Sequence, residues 1–247
     1  VGFGRANNLA LDRIDTRYIL LLNTDAFITP DALKVSLQHM HDHPECGILG
    51  ARLIGRDGVL QPSCRYFPTP WNTFLSRFGL GRLFPGTRLV DDMQWDHASV
   101  RDCDWVPGCY YLVRKAVIDQ VGLFDPRYFL YFEEVDHCLA ARKAGWTVSY
   151  FPGTSVVHWG GESAGSDGAL STGGRQLEAL QCESALLYFR KNLGIAAVGL
   201  HLVLESLSAL LITLRRASGG SRPSPWGRWR LLMASAWSTR LGVRPTR

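Results

Sequence analysis

A chain of 247 residues that is 46% hydrophobic and 20% charged has an ordinary globular composition and enough length to bury a full core. Its formal net charge of +5 is unevenly placed, because eight arginines and no acid follow Leu214, leaving the first 214 residues at −3. That asymmetry excludes a basic nucleic-acid-binding body and predicts a tail that meets an anionic surface. The six cysteines, Cys46, Cys64, Cys103, Cys109, Cys138 and Cys182, are scattered without a Cys-x-x-Cys pair, the pattern of reduced thiols in a cytosolic protein. The first residues lack the basic and then apolar order of a signal peptide. They open inside what reads as a functional loop, which predicts further strands upstream of Val1.

In chain order, Val1 to Asn8 (Val-Gly-Phe-Gly-Arg-Ala-Asn-Asn) reads as a Gly/Asn-rich loop, with a short helix expected over Leu9 to Ile14. Such a loop is either a plain turn or a place where backbone N–H groups approach a phosphate. Tyr18 to Leu22 is a continuous apolar run, expected as a strand buried on both faces of a parallel sheet. It runs into Asn23-Thr24-Asp25, and an acid at such a strand end is either a turn residue or a ligand-facing one. Thr29, Pro30 and Asp31 predict a helix start, with Thr29 as cap and Pro30 first in the helix, running to about His43. Gly47 to Leu53 is the next predicted strand, and Asp57-Gly58 a turn. Gln61 to Asp104 reads as a long irregular loop whose Arg65, Arg77, Arg82 and Trp95 could meet an anionic or sugar ligand, or could simply face solvent.

Trp105 to Val113 is a predicted strand, and Arg114 to Val121 a helix stopped by Gly122. Phe129 to Phe132 leads into a helix over Glu133 to about Ala144, closed by Gly145. Its first turn holds Glu133, Glu134 and Asp136 just after aromatic residues, where a buried carboxylate must be paired or put to use. They could equally serve as acids favoured by the helix dipole. Short strands are expected over Val148 to Phe151 and Ser155 to His158, a lid-like Gly/Ser loop over Gly160 to Gly174, and a helix over Gln176 to Asn192. Leu193 to Leu214 is apolar apart from His201 and Glu205, and the tail beyond carries Trp226, Trp229 and Trp237. This composition predicts a segment lying on a membrane surface; a helical pair packed on the domain and a true span are the alternatives.

Six short motifs occur in order: Gly4-Arg5-Ala6-Asn7-Asn8, Leu21 to Asp25, Trp105 to Gly108, Gly122 to Asp125, Tyr131 to Asp136, and His158. Together they resemble the family 2 glycosyltransferases of the GT-A fold, above all their bacterial rhamnosyltransferase branch, over roughly residues 1–192. The resemblance implies an α/β fold: a Rossmann-like, mixed and mainly parallel sheet flanked by helices, with a basic helical appendage over 193–247. It implies that Asp25 and His158 hold Mg²⁺ or Mn²⁺, that Gly4, Arg5, Asn7, Asn23 and Asp25 lie on the donor side, and that Trp105, Gly108 and Glu133 lie on the acceptor side. The general base carries over to Glu134, with Asp136 as the other candidate because a Glu stands where the family usually has Asp. The family's earliest strand would precede Val1.

The function so implied is inverting transfer of a sugar, rhamnose from dTDP-rhamnose, to a lipid-linked or oligosaccharide acceptor in cell-surface polysaccharide synthesis. The partners would be the nucleoside diphosphate sugar, that acceptor and an anionic membrane, with no nucleic acid, on the cytoplasmic face of the cell membrane. A binding pseudoenzyme and a metal-dependent sugar-nucleotide hydrolase share the same residues.

Overall fold

The computed structural model describes residues 2–159, 175–216 and 225–246. Its seven strands are β1 (Tyr18–Leu22), β2 (Ala26–Ile28), β3 (Cys46–Ile54), β4 (Leu60–Gln61), β5 (Arg101–Asp102), β6 (Tyr110–Arg114) and β7 (Thr147–His158). They form one sheet in the order β1-β6-β3-β7-β2, with β4 on β3 and β5 on β7. The helices are α1 (Phe3–Asn8), α2 (Ala32–Asp42), α3 (Pro70–Phe78), α4 (Lys115–Val121), α5 (Glu133–Lys143), α6 (Arg175–Asn192), α7 (Gly194–Arg216) and α8 (Pro225–Ser238).

The sheet has a core on each face because successive strand residues point to opposite sides. Ile48, Tyr111, Val113, Val148 and Tyr150 face α4, α5 and α6 through Val117, Cys138 and Leu186. Their chain neighbours Leu49, Tyr110 and Leu112, together with Val156 further along β7, face Met40 of α2. The α/β fold with a mixed sheet is as expected, but the sheet is not mainly parallel. Only β3 and β7 run parallel among the described strands, while every other pairing is antiparallel. A continuous apolar run reports burial and says nothing of strand direction. Strand β1, expected to be covered on both faces, is instead half-buried and pairs only with β6 among the described residues, with Leu22 exposed.

Other expectations shift locally. The Gly/Asn-rich opening is helix α1, and Leu11–Arg13 is a single 3₁₀ turn. Helix α2 begins after Asp31; Thr29 donates its hydroxyl to Asp31 Oδ1 at 2.8 Å and does not cap the helix. The predicted strand at Trp105 starts at Tyr110. The two strands expected over 148–158 are one, β7, with a register shift against β3 between Phe151 and Ser155. Within the stretch expected to be irregular, α3 starts on a capping box between Thr69 and Asn72 and ends on left-handed Gly79. The lid expected over Gly160 to Gly174 lies outside the described residues.

Helices α7 and α8 form a pair packed on α6 and α3. The polar breaks of α7 are turned inward: Glu205 accepts an ion pair from Arg77 of α3 at 2.5 Å, and Trp229 of α8 donates to Ser206 at 2.9 Å. His201 is buried, which depresses its imidazole to about 4. Beyond α8 the chain turns back onto α6, where the Thr246 backbone N–H donates to Glu183 Oε1 at 2.8 Å. The turn requires Gly242, whose φ is +79° and whose place for a Cβ lies 2.2 Å from the Leu186 carbonyl oxygen. Gly242→Ala combines left-handed strain with a backbone clash and is expected to lower stability by about 1–3 kcal/mol, read by chemical denaturation. An unchanged midpoint would show that the C-terminal turn does not seal α6.

Candidate functional site

The end of β1 and the end of β7 are brought together by the short strand β2. The Asn23 N–H donates to the Cys109 carbonyl, and the Ala26 N–H to the Asn23 carbonyl, both at 3.1 Å, so the chain turns sharply after Leu22. Ala26 then pairs with His158, and the Trp159 N–H donates to the Asp25 carbonyl at 3.1 Å. This pairing buries Asp25 to 6% exposure with its Oδ1 3.7 Å from His158 Nε2. Oδ1 has no hydrogen-bond partner among the described residues. A buried carboxylate oxygen without a partner is costly unless a cation meets it.

The donor set fits a hard divalent ion. Carboxylate oxygen and imidazole nitrogen both serve Mn²⁺, and a carboxylate is the usual protein ligand of Mg²⁺. No cluster of three or more His, Cys, Asp or Glu exists among the described residues to close such a site. Remaining ligands would come from phosphate oxygens or water, as is usual for Mg²⁺ at substrate phosphates.

The acids of α5 are set by strain. Tyr131 and Phe132 both have left-handed backbones, φ +72° and +69°, an arrangement costing about 1–3 kcal/mol per residue. The kink turns the three acids in three directions. Asp136 is committed: its Oδ2 accepts from Lys191 at 2.6 Å and its Oδ1 from Asn192 at 2.8 Å. Lys191 also binds Asp125, which Arg127 grips as well; against the effect of burial, these hydrogen bonds hold the Asp125 carboxyl far below its usual range.

Glu133 is 3% exposed and its Oε2 meets no partner among the described residues. Burial and the neighbouring Glu134 push its carboxyl up to about 8. Glu134 is partly buried. Burial raises its carboxyl too, opposed by the backbone N–H groups of Glu134, Gly108 and Val135 and by the charge of Arg65.

Gly108 therefore stands directly against Glu134, at the end of the Trp105 turn. Trp105 is buried, donates its indole N–H to the Tyr66 carbonyl at 2.9 Å, and carries the Arg65 guanidinium over its ring at 4.2 Å. Arg65 is fixed there by Asp91 at 2.6 Å. Cys109 joins the two halves of the site: burial pushes its thiol up to about 12, and the nearby Glu134 and Asp25 carboxylates both push the same way. One buried thiol thus feels the candidate metal ligand and the candidate base.

Of the residues expected on the donor side, Gly4, Arg5 and Asn7 lie on α1, beside the start of α5, and Asn23 and Asp25 follow β1. A Cβ on Gly4 would crowd Phe124 at 3.1 Å and touch Glu133 at 3.8 Å, so glycine eases this close approach. Arg5 donates to the Pro126 carbonyl at 2.7 Å, Asn7 to the Phe3 carbonyl at 2.9 Å, and Asn8 exchanges hydrogen bonds with the Phe124 backbone. The bonds of Arg5 and Asn8, with that of the Phe3 N–H to the Phe129 carbonyl, anchor the helix to the 124–129 segment, while the Asn7 bond stays within α1. Lys191, Asn192 and Gln61 were not foreseen; they join the site across gaps of 55 to 97 residues, which no local pattern announces.

Glu133 generates a pH test. Unfolded, it titrates near about 4.3, so between there and its folded value the native state keeps a proton the unfolded chain has released. Stability should fall as pH rises through that window, by up to about 1.4 kcal/mol per pH unit. Glu133→Gln is expected to flatten the slope and to be more stable than the parent at pH 8, with the gain vanishing near pH 4. Parallel stability curves would mean that Glu133 is not held protonated.

No family model matches the chain. It is 32% identical over 158 residues to the N-acetylglucosaminyl-diphospho-decaprenol L-rhamnosyltransferase of Mycobacterium tuberculosis, covering 62% of this chain and 50% of that protein. It is 29% identical over 168 residues to rhamnosyltransferase WbbL of Escherichia coli, covering 64% of this chain and 61% of that one. The chain thus spans about half to three-fifths of these curated relatives. In structure it resembles the mannosyltransferase PcManGT of Pyrobaculum calidifontis, solved with GDP-Man and Mn²⁺, at a TM-score of 0.51 and 12% identity over 97% of this chain and 66% of that one. Sequence and fold together fit a family 2, rhamnosyltransferase-like protein with the GT-A glycosyltransferase fold.

Proposed function

We propose that the chain carries the sugar-transfer site of an inverting glycosyltransferase. It would move rhamnose from dTDP-rhamnose to a saccharide acceptor, lipid-linked or oligosaccharide, in cell-surface polysaccharide synthesis. One observation carries this reading: an unpartnered buried Asp25 oxygen faces His158 Nε2, across a single thiol from a carboxyl, Glu134, whose proton affinity is raised. The two relatives above are named as rhamnosyltransferases, which supports the donor class.

Asp25 and His158 would hold Mg²⁺ or Mn²⁺, and that ion would supply positive charge where negative charge develops on the leaving diphosphate. Glu134 takes the proton of the acceptor hydroxyl as its oxygen attacks the anomeric carbon. A C–O bond forms on one face while the bond to the diphosphate breaks on the other. Glu134 is favoured over Asp136 for that role because Lys191 and Asn192 already donate to the two oxygens of Asp136. Burial raises Glu134 toward working pH, where a base is most effective, and the Gly108 N–H orients it. Trp105, Gly108 and Glu133 would lie on the acceptor side of Glu134.

Glu134→Gln is expected to reduce transfer about 10²–10⁴-fold with nucleotide-sugar affinity nearly intact. Asp25→Ala should abolish the Mn²⁺ dependence of that affinity, measured by calorimetry. Wild-type turnover in Glu134→Gln would remove it as the base, and equal metal-dependent binding in Asp25→Ala would remove the metal assignment.

The proposal extends to peripheral attachment on the cytoplasmic membrane face, where a lipid-linked acceptor is presented. Helix α7 is long and apolar enough to cross a membrane, yet its His201, Glu205 and Ser208 are buried against the protein. Its outer side carries Leu200, Val203, Leu207, Leu210 and Leu214, exposed at helical spacing, and Trp237 of α8 is 89% exposed. Arginines of the tail, each worth about 1 kcal/mol near an anionic leaflet, would add a salt-sensitive component. The double variant Val203→Glu, Leu207→Glu should lose co-sedimentation with anionic vesicles; unchanged binding would exclude α7 as the contact.

A further inference from the structure

Gln61, the last residue of β4, holds His158 by both ends of its amide. Its Nε2 donates to the His158 carbonyl oxygen at 3.0 Å, and its Oε1 lies 3.0 Å from His158 Nδ1. A backbone carbonyl can only accept, so the amide nitrogen must face it and the amide oxygen must face the ring. That oxygen can only accept in turn, so the ring proton sits on Nδ1. In the neutral ring Nε2 is then left with a lone pair, 3.7 Å from Asp25 Oδ1. Two acceptors face each other with no proton between them, an arrangement that repels unless a cation lies between.

We propose that Gln61 is a positioning residue for the donor-side site: it fixes the tautomer and ring orientation of His158 so that Nε2 is presented, unprotonated, beside Asp25. This inference rests on the reading of Asp25 and His158 as metal ligands. The hairpin ahead of Gln61 is built for the task. Asp57 Oδ1 accepts from the Val59 N–H at 3.0 Å, Gly58 turns at φ +78°, and the Gly55 N–H donates to the Val59 carbonyl at 2.8 Å. Leu60 and Gln61 then pair with Ile54 and Leu53 of β3. Gly55 leaves the passage open, since a Cβ there would lie 3.2 Å from Gln61 Nε2. Hydrogen-bond partners of a ligating histidine set its tautomer and basicity, and their loss commonly weakens metal binding about 10–100-fold.

The experiment uses the full chain, labelled with ¹⁵N-histidine and free of metal, with the His158 signals assigned by their disappearance in His158→Ala. Nitrogen NMR reads which ring nitrogen carries the proton, and Mn²⁺ binding is followed separately by electron paramagnetic resonance. The parent should show the Nδ1–H form. Gln61→Met, similar in size but without either polar atom, should release His158 to the Nε2–H form favoured in water and weaken Mn²⁺ about 10–100-fold. Gln61→Glu keeps an acceptor for the Nδ1 proton and should retain both the tautomer and most of the affinity, which a merely structural role would not produce. An Nε2–H parent, or a Gln61→Met protein with the parent's tautomer, overturns the proposal. Equal Mn²⁺ affinity in the parent and His158→Ala overturns the metal role of His158 alone, and the tautomer measurement still decides on Gln61.

Discussion

Strand β7 is the element on which the rest of the structure is registered. Along one edge it pairs in parallel with β3; along the other it pairs first with β5 and then, past the register shift after Phe151, with β2. It can therefore hold two separate antiparallel partners while remaining one strand of the central sheet. Its last residue, His158, lies where β2 delivers Asp25, so the most polar feature of the site is a consequence of backbone ladders. Ladder register is strongly specified here because a slip of one residue would exchange the two cores on either face of the sheet.

The other half of the site is paid for in backbone strain and desolvation. Two consecutive aromatic residues in left-handed conformations, followed by one buried and one partly buried glutamate, are each unfavourable in isolation. They persist because α5 is pinned from several sides: Lys191 and Asn192 hold Asp136, and Ser184 donates to the Leu130 carbonyl at 2.8 Å. The dipole at the start of α5 favours the anionic form of its acids, while their mutual repulsion and burial favour the neutral one. Burial raises both Glu133 and Glu134, and Gly108 and Arg65 oppose it at the second.

What could be read in advance was what is encoded locally. Tyr18 to Leu22 has the bounds of β1, Gly122 and Gly145 stop α4 and α5 with positive φ, and Asp57-Gly58 makes the turn it announces. The kinship itself was legible because six short motifs keep their order. Helix α3 was legible in principle, since Thr69, Pro70, Asn72 and Gly79 are a start and a stop, but the surrounding Arg, Pro and aromatic content hid them. Helix α1 was not: its glycines and asparagines are loop-forming residues, and only packing against Phe124 and Glu133 explains Gly4. Strand direction, the capture of Asp136 by Lys191 and the amide clamp of Gln61 are tertiary facts. No window of a few residues contains them.

The return of the chain from α8 onto α6 has a consequence for how the protein comes into being. Lys191 and Asn192, which hold the acid helix, sit at the end of α6, whose flank is covered by Gly242 and Thr246. On a ribosome those covering residues emerge after every residue of the site has been made. The nascent chain therefore carries all the reactive groups while α6 still lacks its outer support. Site assembly is tied to the late stages of synthesis, and a stalled or clipped chain would hold its acids on a helix that has not yet been locked in place.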